Sequence, residues 1–251
     1  MRKLAIVGLA LSAIFAMAAV AIAQYAQPTM TASGKVKPGK GGSKKKPKNG
    51  YVETTFRINP ESNTTIDQIT YTLPKNIVLD GKGFPTCDEE QIAAEGEASC
   101  PNPSRVGTGS ALAHLGSADL VFTVNVYVAA RKLLVLALTH PTLGTIPFTA
   151  TINGRRVAFD IPENVTNVTG NPQGPYSTVE SVTAKIGKQK GIKGSVTKGK
   201  GKKRKTRFYA SLTGCPKNGK HQGSTLVRTK PNPNPSSVGT LSAKWSAKCK
   251  K

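Results

Sequence analysis

Four cysteines, three histidines and one run of carboxylates are the residues of this 251-residue chain with chemistry to offer, and their spacing decides which chemistry. His114, His140 and His221 are scattered and no C-x-x-C pair occurs, so the tetrahedral thiolate and imidazole set that zinc needs has no support. No metal and no cofactor are expected. Five of the thirteen acidic residues, Asp88, Glu89, Glu90, Glu95 and Glu97, fall within residues 86–100. Such a cluster could hold calcium or supply catalytic carboxylates. The D-x-[DN]-x-[DN]-G spacing that wraps a calcium ion is missing, which favours a solvated helix face; docking of the acidic helix on a basic segment is a further alternative. Asp160 and Glu163 read as partners for Arg155 and Arg156. Neither H-E-x-x-H nor G-x-S-x-G occurs, and no catalytic residue is assigned. Gly107-Thr108-Gly109 lacks the third glycine of a dinucleotide fingerprint, because Leu112 stands there. The stretch 194–201 fails as a phosphate loop, since Gly201 occupies the position of the magnesium-binding hydroxyl.

Charge carries more information. The chain has a formal net charge of +23, which points to anionic partners and leaves the fold undetermined. Lysines concentrate in residues 27–50 and 187–205. Within and beside these stretches Lys44, Lys45, Lys46, Lys48, Lys202, Lys203, Arg204, Lys205 and Arg207 are the candidate polyanion-binding residues. An anionic cell-wall polymer or acidic polysaccharide suits them, with a protein partner as the second reading. Nucleic acid is disfavoured, because only Phe208 and Tyr209 adjoin a basic run and no aromatic series is interleaved for base stacking.

The elements that must position these residues follow from patterning. Arg2 and Lys3 precede an apolar run ending in Ala21-Ile22-Ala23, the form of a cleaved secretory signal peptide over residues 1–23. Its removal lowers the formal charge from +23 to +21 and leaves no second apolar stretch of spanning length, so the mature protein is expected to be secreted. In an exported chain four cysteines imply two disulfides in one of three connectivities; the sequence-local choice joins Cys87 to Cys100 and Cys215 to Cys249. Residues 24–50 are expected to be a disordered basic arm, having almost nothing apolar to bury. The folded domain would span 51–251, with a basic loop at 187–205 and an alternative division near 163–177.

Residues 119–162 are the long, nearly uncharged core-forming block, and they read as four strands. Leu120, Phe122, Val124, Val126 and Val128 recur at every second position. The run 133–138 is apolar on both faces, as in a fully buried strand. Asn153-Gly154 suits a two-residue type I′ hairpin turn, which would set Ile152 opposite Arg155 and Ala150 opposite Val157. Further strands are expected at 51–58, 68–73, 77–79, 178–186, 207–213, 224–228 and 238–245. The Gly107-Thr108-Gly109 segment reads as a turn or bulge. One helix is expected after Thr86, which has capping-box spacing to Glu89, and Gly96 ends it. The fold class is therefore mainly β: an antiparallel β-sandwich, immunoglobulin-like in shape, with one short disulfide-pinned helix.

Leu73-Pro74, Phe84-Pro85-Thr86-Cys87, Cys100-Pro101, residues 104–109, Asp160-Ile161-Pro162, Cys215-Pro216 and Cys249-Lys250 follow one another in an order that resembles a group of uncharacterised secreted actinobacterial proteins. The resemblance covers about residues 51–250 and implies no activity. The function expected is that of an exported, non-catalytic protein bound to the cell envelope through its Lys-rich segments. A structural or protein-interaction module of the cell surface, or an extracellular hydrolase without a recognisable motif, are the alternatives.

Overall fold

The structure, a computed structural model, describes residues 25–171, 174, 176–199, 204–231 and 238–250. The expected signal peptide lies outside these residues. The first half contains β1 (Met30–Lys37), β2 (Lys48–Asn49), β3 (Tyr51–Ile58), β4 (Thr65–Thr72), β5 (Ile77–Leu79), α1 (Glu89–Glu95), β6 (Arg105–Leu115) and β7 (Ala118–Ala130). The second contains β8 (Leu133–His140), β9 (Gly144–Asn153), β10 (Arg156–Asp160), α2 (Glu163–Thr166), β11 (Thr178–Gly187), β12 (Ser195–Lys198), β13 (Lys205–Phe208), β14 (Ala210–Leu212), β15 (Lys220–Lys230) and β16 (Gly239–Lys248).

The chain is mainly β and antiparallel, but its strands are not divided between two sheets. Eleven of them hydrogen-bond into one sheet in the order β1-β3-β11-β6-β7-β8-β9-β10-β4-β15-β16. The sheet coils until β1 and β16 lie against each other, forming a nearly closed barrel. Strands from both sides of residues 163–177 alternate in it, β11 between β3 and β6, and β4 between β10 and β15, so that segment does not divide the described chain. Every neighbouring pair is antiparallel, and an odd number of such strands brings the first and last together in the same direction. The Lys40–Lys250 bridge just beyond them is indeed parallel. This seam is packed rather than laddered. Trp245 fills it, with Gly34 on one side and Gly223 on the other, where any Cβ would collide with the indole ring.

Alternation built the walls as expected. On β7 the side chains of Leu120, Phe122, Val124, Val126 and Val128 are buried inside the barrel, each such burial contributing about 1.5–3 kcal/mol. On β8, Leu134, Leu136 and Leu138 join that core, while Val135 and Ala137 face outward into a second cluster with Tyr127, Ile92 and Cys87. The helix α1 creates this second cluster, which is why the run 133–138 is apolar on both faces. Its N-cap is Asp88, whose carboxylate accepts the Gln91 N–H at 2.8 Å, in place of the expected Thr86. The short reach of the Asp carboxylate suits the capping position beside two further acids in the first turn.

Three expectations are corrected. The hairpin between β9 and β10 pairs Ile152 with Val157 and Asn153 with Arg156, so its turn is Gly154-Arg155. Gly154 takes φ 60° and Arg155 is not left-handed, which suits a turn with glycine first rather than Asn-Gly. The shift is by two residues and keeps the same faces inward. Residues 24–50 are not wholly irregular: β1 pairs along its whole length with β3, from Met30 with Ile58 to Lys37 with Tyr51. Its Met30, Ala32, Gly34 and Val36 alternate inward, a weak pattern that the pairing and Trp245 supply with partners. Of the two readings of Gly107-Thr108-Gly109 the turn is overturned, since the segment lies within the long strand β6, while a bulge is found at its edge, between Arg105 and Gly107.

A small sheet, β2-β14-β5, caps one end of the barrel, and Leu79, Tyr209, Ala210 and Leu212 close the core there. At the other end α2 turns Val165 into the core. No helix among the described residues is long and apolar enough to cross a membrane.

Candidate polyanion-binding end

The capped end gathers the basic segments. Lys44, Lys45 and Lys46 are exposed on the turn between β1 and β2, and Lys48 is exposed on β2 itself. Arg204 precedes β13 and Lys205 and Arg207 lie on it, all exposed, while Lys202 and Lys203 lie outside the described residues. Backbone pairing unites the two segments: Ser211 and Leu212 of β14 pair with Asn49 and Lys48 of β2. The Asn49 side-chain amide donates to the Lys193 carbonyl at 2.9 Å, and the Lys188 N–H to the Gly50 carbonyl at 2.8 Å. Stretches more than a hundred residues apart therefore present one surface. The expected pairing of 178–186 with 207–213 does not occur, since β11 lies between β3 and β6. The basic loop instead forms the β12–β13 hairpin, and Lys198 and Arg207 stand beside Gly83.

A third group joins them. Cys215 and Cys249 are bonded, as are Cys87 and Cys100. The first of these bonds draws Lys217, Lys220, Lys248 and Lys250 toward the β1–β2 turn, where the Lys250 N–H donates to the Gly39 carbonyl at 2.8 Å. These lysines escaped the sequence reading because they are spread singly along the chain. The expected Cys215–Cys249 bond was the signal that could have found them, since each cysteine has lysines on its flanks. None of Lys37, Lys40, Lys44, Lys45, Lys46, Lys48, Lys217, Lys220, Lys248 and Lys250 forms an ion pair among the described residues. The acidic helix α1 does not dock on the basic segments; it covers the outer face around β9, where Glu97 accepts hydrogen bonds from Tyr127 Oη and Thr139 Oγ1, each at 2.8 Å. Burial and the Glu97 carboxylate raise the Tyr127 phenol above its ordinary range.

No known protein family, curated protein or solved structure matches this chain.

The residues with catalytic chemistry are engaged elsewhere. His114 is held between Asp119 Oδ1 at 2.9 Å and Glu180 Oε2 at 3.1 Å, so both ring nitrogens face carboxylates and neither faces a nucleophile. His140 Nδ1 accepts the backbone N–H groups of Thr142 and Leu143 in the β8–β9 turn. Asp160 and Glu163 face Arg228 and Lys230 rather than Arg155 and Arg156, because Asp160 pairs through β4 toward β15. Two S-x-x-K sequences, 43–46 and 195–198, also lack the required setting: the Ser43 hydroxyl accepts the Lys46 backbone N–H at 3.0 Å in an exposed turn, and Lys198 is exposed on β12. His221 is fully buried beside the Cys215–Cys249 bond and makes one hydrogen-bond contact, to Asn76 Oδ1 at 3.1 Å. Burial lowers its pKa. Although Cys215, His221 and Cys249 converge, the two sulfurs are joined to each other and offer no thiolate.

Proposed function

We propose that this is an exported, non-catalytic barrel-like protein that associates with the cell envelope by laying the basic end of its barrel on an anionic polymer, such as a cell-wall polyanion or acidic polysaccharide. The observation that carries the reading is the convergence of three lysine groups, remote in sequence, on one end of the barrel, where among the described residues Lys44, Lys45, Lys46, Lys48, Lys217, Lys220, Lys248 and Lys250 form no ion pair. Coulombic attraction from such a surface is long-ranged at low salt and fades over about 8 Å at physiological ionic strength. Binding of this kind is multivalent and tolerant of the exact repeat of the polymer. The two disulfides and the polar outer positions of β15 and β16, among them Lys220, Gln222, Lys244 and Lys248, suit an extracellular setting. The resemblance to secreted actinobacterial proteins belongs to the same proposal. So does an immunoglobulin-like outline, in so far as the coiled sheet presses two faces around one core.

The test is binding of the mature protein to its own cell envelopes, and to polyphosphate and a polyuronate, across a salt series. Because β1 is part of the wall, the basic surface is removed by substitution rather than deletion: Lys44→Ser, Lys45→Ser, Lys46→Ser, Lys217→Ser and Lys220→Ser together. Binding that weakens with salt and with these changes supports the proposal. Binding indifferent to both would exclude it and redirect attention to a protein partner.

A further inference from the structure

Inside the barrel lies a cavity of about 70 Å³. It is drawn out along the strands, lined from Ile186 and Tyr71 near the capped end to Val165 and Ser177 near α2. Small side chains make the room: β6 turns Ala111 and Ala113 toward it and β11 turns Ala184, where larger residues would fill the core. The walls are otherwise aliphatic and aromatic. The hydroxyls at the α2 end are already committed, Ser177 Oγ donating to the Val165 carbonyl at 3.0 Å and Thr166 Oγ1 to the Glu163 carbonyl at 3.2 Å. Water needs two to four polar partners, and the walls supply none along most of the length. The volume is roughly half of the ~150 Å³ of an engineered apolar cavity that takes up benzene, so a narrow chain fits better than a ring.

We propose that the cavity receives the end of an unbranched alkyl chain whose uncharged head group rests at the α2 end. Toward the capped end the core is closed by the buried side chains of Tyr209, Leu212 and Leu79, with Tyr71 on the cavity wall, so that end has no opening for a head group. At the α2 end the Thr166 and Ser177 hydroxyls line the cavity beside backbone turns, while the Thr183 hydroxyl on the wall is bonded to that of Thr55 at 2.9 Å; an ionised head group would lose its hydration there, where Arg228 and Lys230 are already paired with Asp160 and Glu163. This site is separate from the polyanion-binding surface and does not depend on it.

Titration of the mature protein with 1-alkanols from butan-1-ol to decan-1-ol, followed by calorimetry and by NMR of the core methyl groups, tests the proposal. Affinity is expected to rise about fourfold per added methylene, the equivalent of ~0.8 kcal/mol, until the cavity is full and then to level off. Ala184→Leu should fill the space and weaken binding at least tenfold while leaving the circular dichroism unchanged and Tm equal or higher; Ala113→Val serves if the leucine disturbs folding. Decanoate should bind more weakly than decan-1-ol. Failure of every alkanol to bind, or binding by the filled variant equal to that of the parent, would overturn the cavity's role. Decanoate binding as tightly as the alcohol would overturn the placement of the head group.

Discussion

At the α2 end of the barrel each of Arg57, Arg228 and Lys230 faces a carboxylate, whereas at the capped end Arg131 is paired with Asp80 but Lys37, Lys40, Lys44, Lys217, Lys220 and Lys248 face no carboxylate among the described residues. The same strands run through both ends, so the contrast comes from the connections. Those at the α2 end are mostly short, such as 116–117 and 141–143, and are held by internal hydrogen bonds like those of His140. Those at the capped end include 38–47, 73–104 and 188–219, and they carry both disulfides and both smaller sheets. Long connections on a rigid scaffold are where binding surfaces arise. Here the capped end holds apolar closure beneath and unpaired charge above, two layers that can be separated experimentally.

The sharpest break would be to the layer beneath. Trp245→Ala should cost about 3–5 kcal/mol, because the indole joins β16 to β1 across Gly34 and leaves a cavity when removed; urea unfolding measures it, and a loss under 1 kcal/mol would mean the seam closes without it. Replacing both Cys215 and Cys249 by serine should cost about 3–4 kcal/mol and should also scatter the lysines on their flanks, lowering polyanion affinity as well as stability. The layer above is addressed by charge alone: Lys44→Glu, Lys46→Glu and Lys220→Glu together should weaken polyanion binding tenfold or more, while Arg57→Gln, Arg228→Gln and Lys230→Gln should change it less than twofold. Equal losses from the two sets would erase the distinction between the ends. Asp88→Ala removes the cap of α1 and should cost about 1 kcal/mol with no effect on binding. The smallest effect concerns pH. His221 is buried with a lowered pKa, so the unfolded chain takes up its proton more readily. Stability is fully present above the unfolded value near 6.5 and declines as pH falls below it. Comparing urea midpoints at pH 7.5 and pH 5.5, on the same scale, for the parent and His221→Gln should show a flatter profile in the variant.

Much of the fold was legible because its signals are local. Alternation in 51–58 marked β3 to the residue, and the two-sided apolar run 133–138 marked a strand buried on both faces. What escaped was set by distant partners. The strand β1 has only Met30, Ala32 and Val36 to bury, and it forms because β3 and Trp245 are there to receive it. Whether the strands would make two sheets or one depends on the placement of β11 and β4 between neighbours far away in sequence, which periodicity does not encode. The candidate site divided similarly: the lysine runs were visible as runs, while Lys217, Lys220, Lys248 and Lys250 became a group only through the disulfide.

The parallel seam bears on how the chain avoids sticking to itself. Until residues 239–248 are in place, the sheet is open: β15 exposes a row of unsatisfied N–H and C=O groups that β16 will pair, and the outer edge of β1, against which β16 packs without a ladder, lies uncovered and could recruit another strand. Because β16 follows β15 in the chain, that interval lasts until residues 239–248 have been made. The outward positions of β1 are Thr31, Ser33, Lys35 and Lys37, and those of β15 include Lys220 and Arg228, so both waiting edges are studded with charge. Lysine on an exposed edge deters strand addition by another copy through repulsion and the cost of desolvation. Part of the positive charge at the seam therefore acts as a gatekeeper against aggregation, and a chain truncated before Gly239 would keep that protection only as long as those side chains remain.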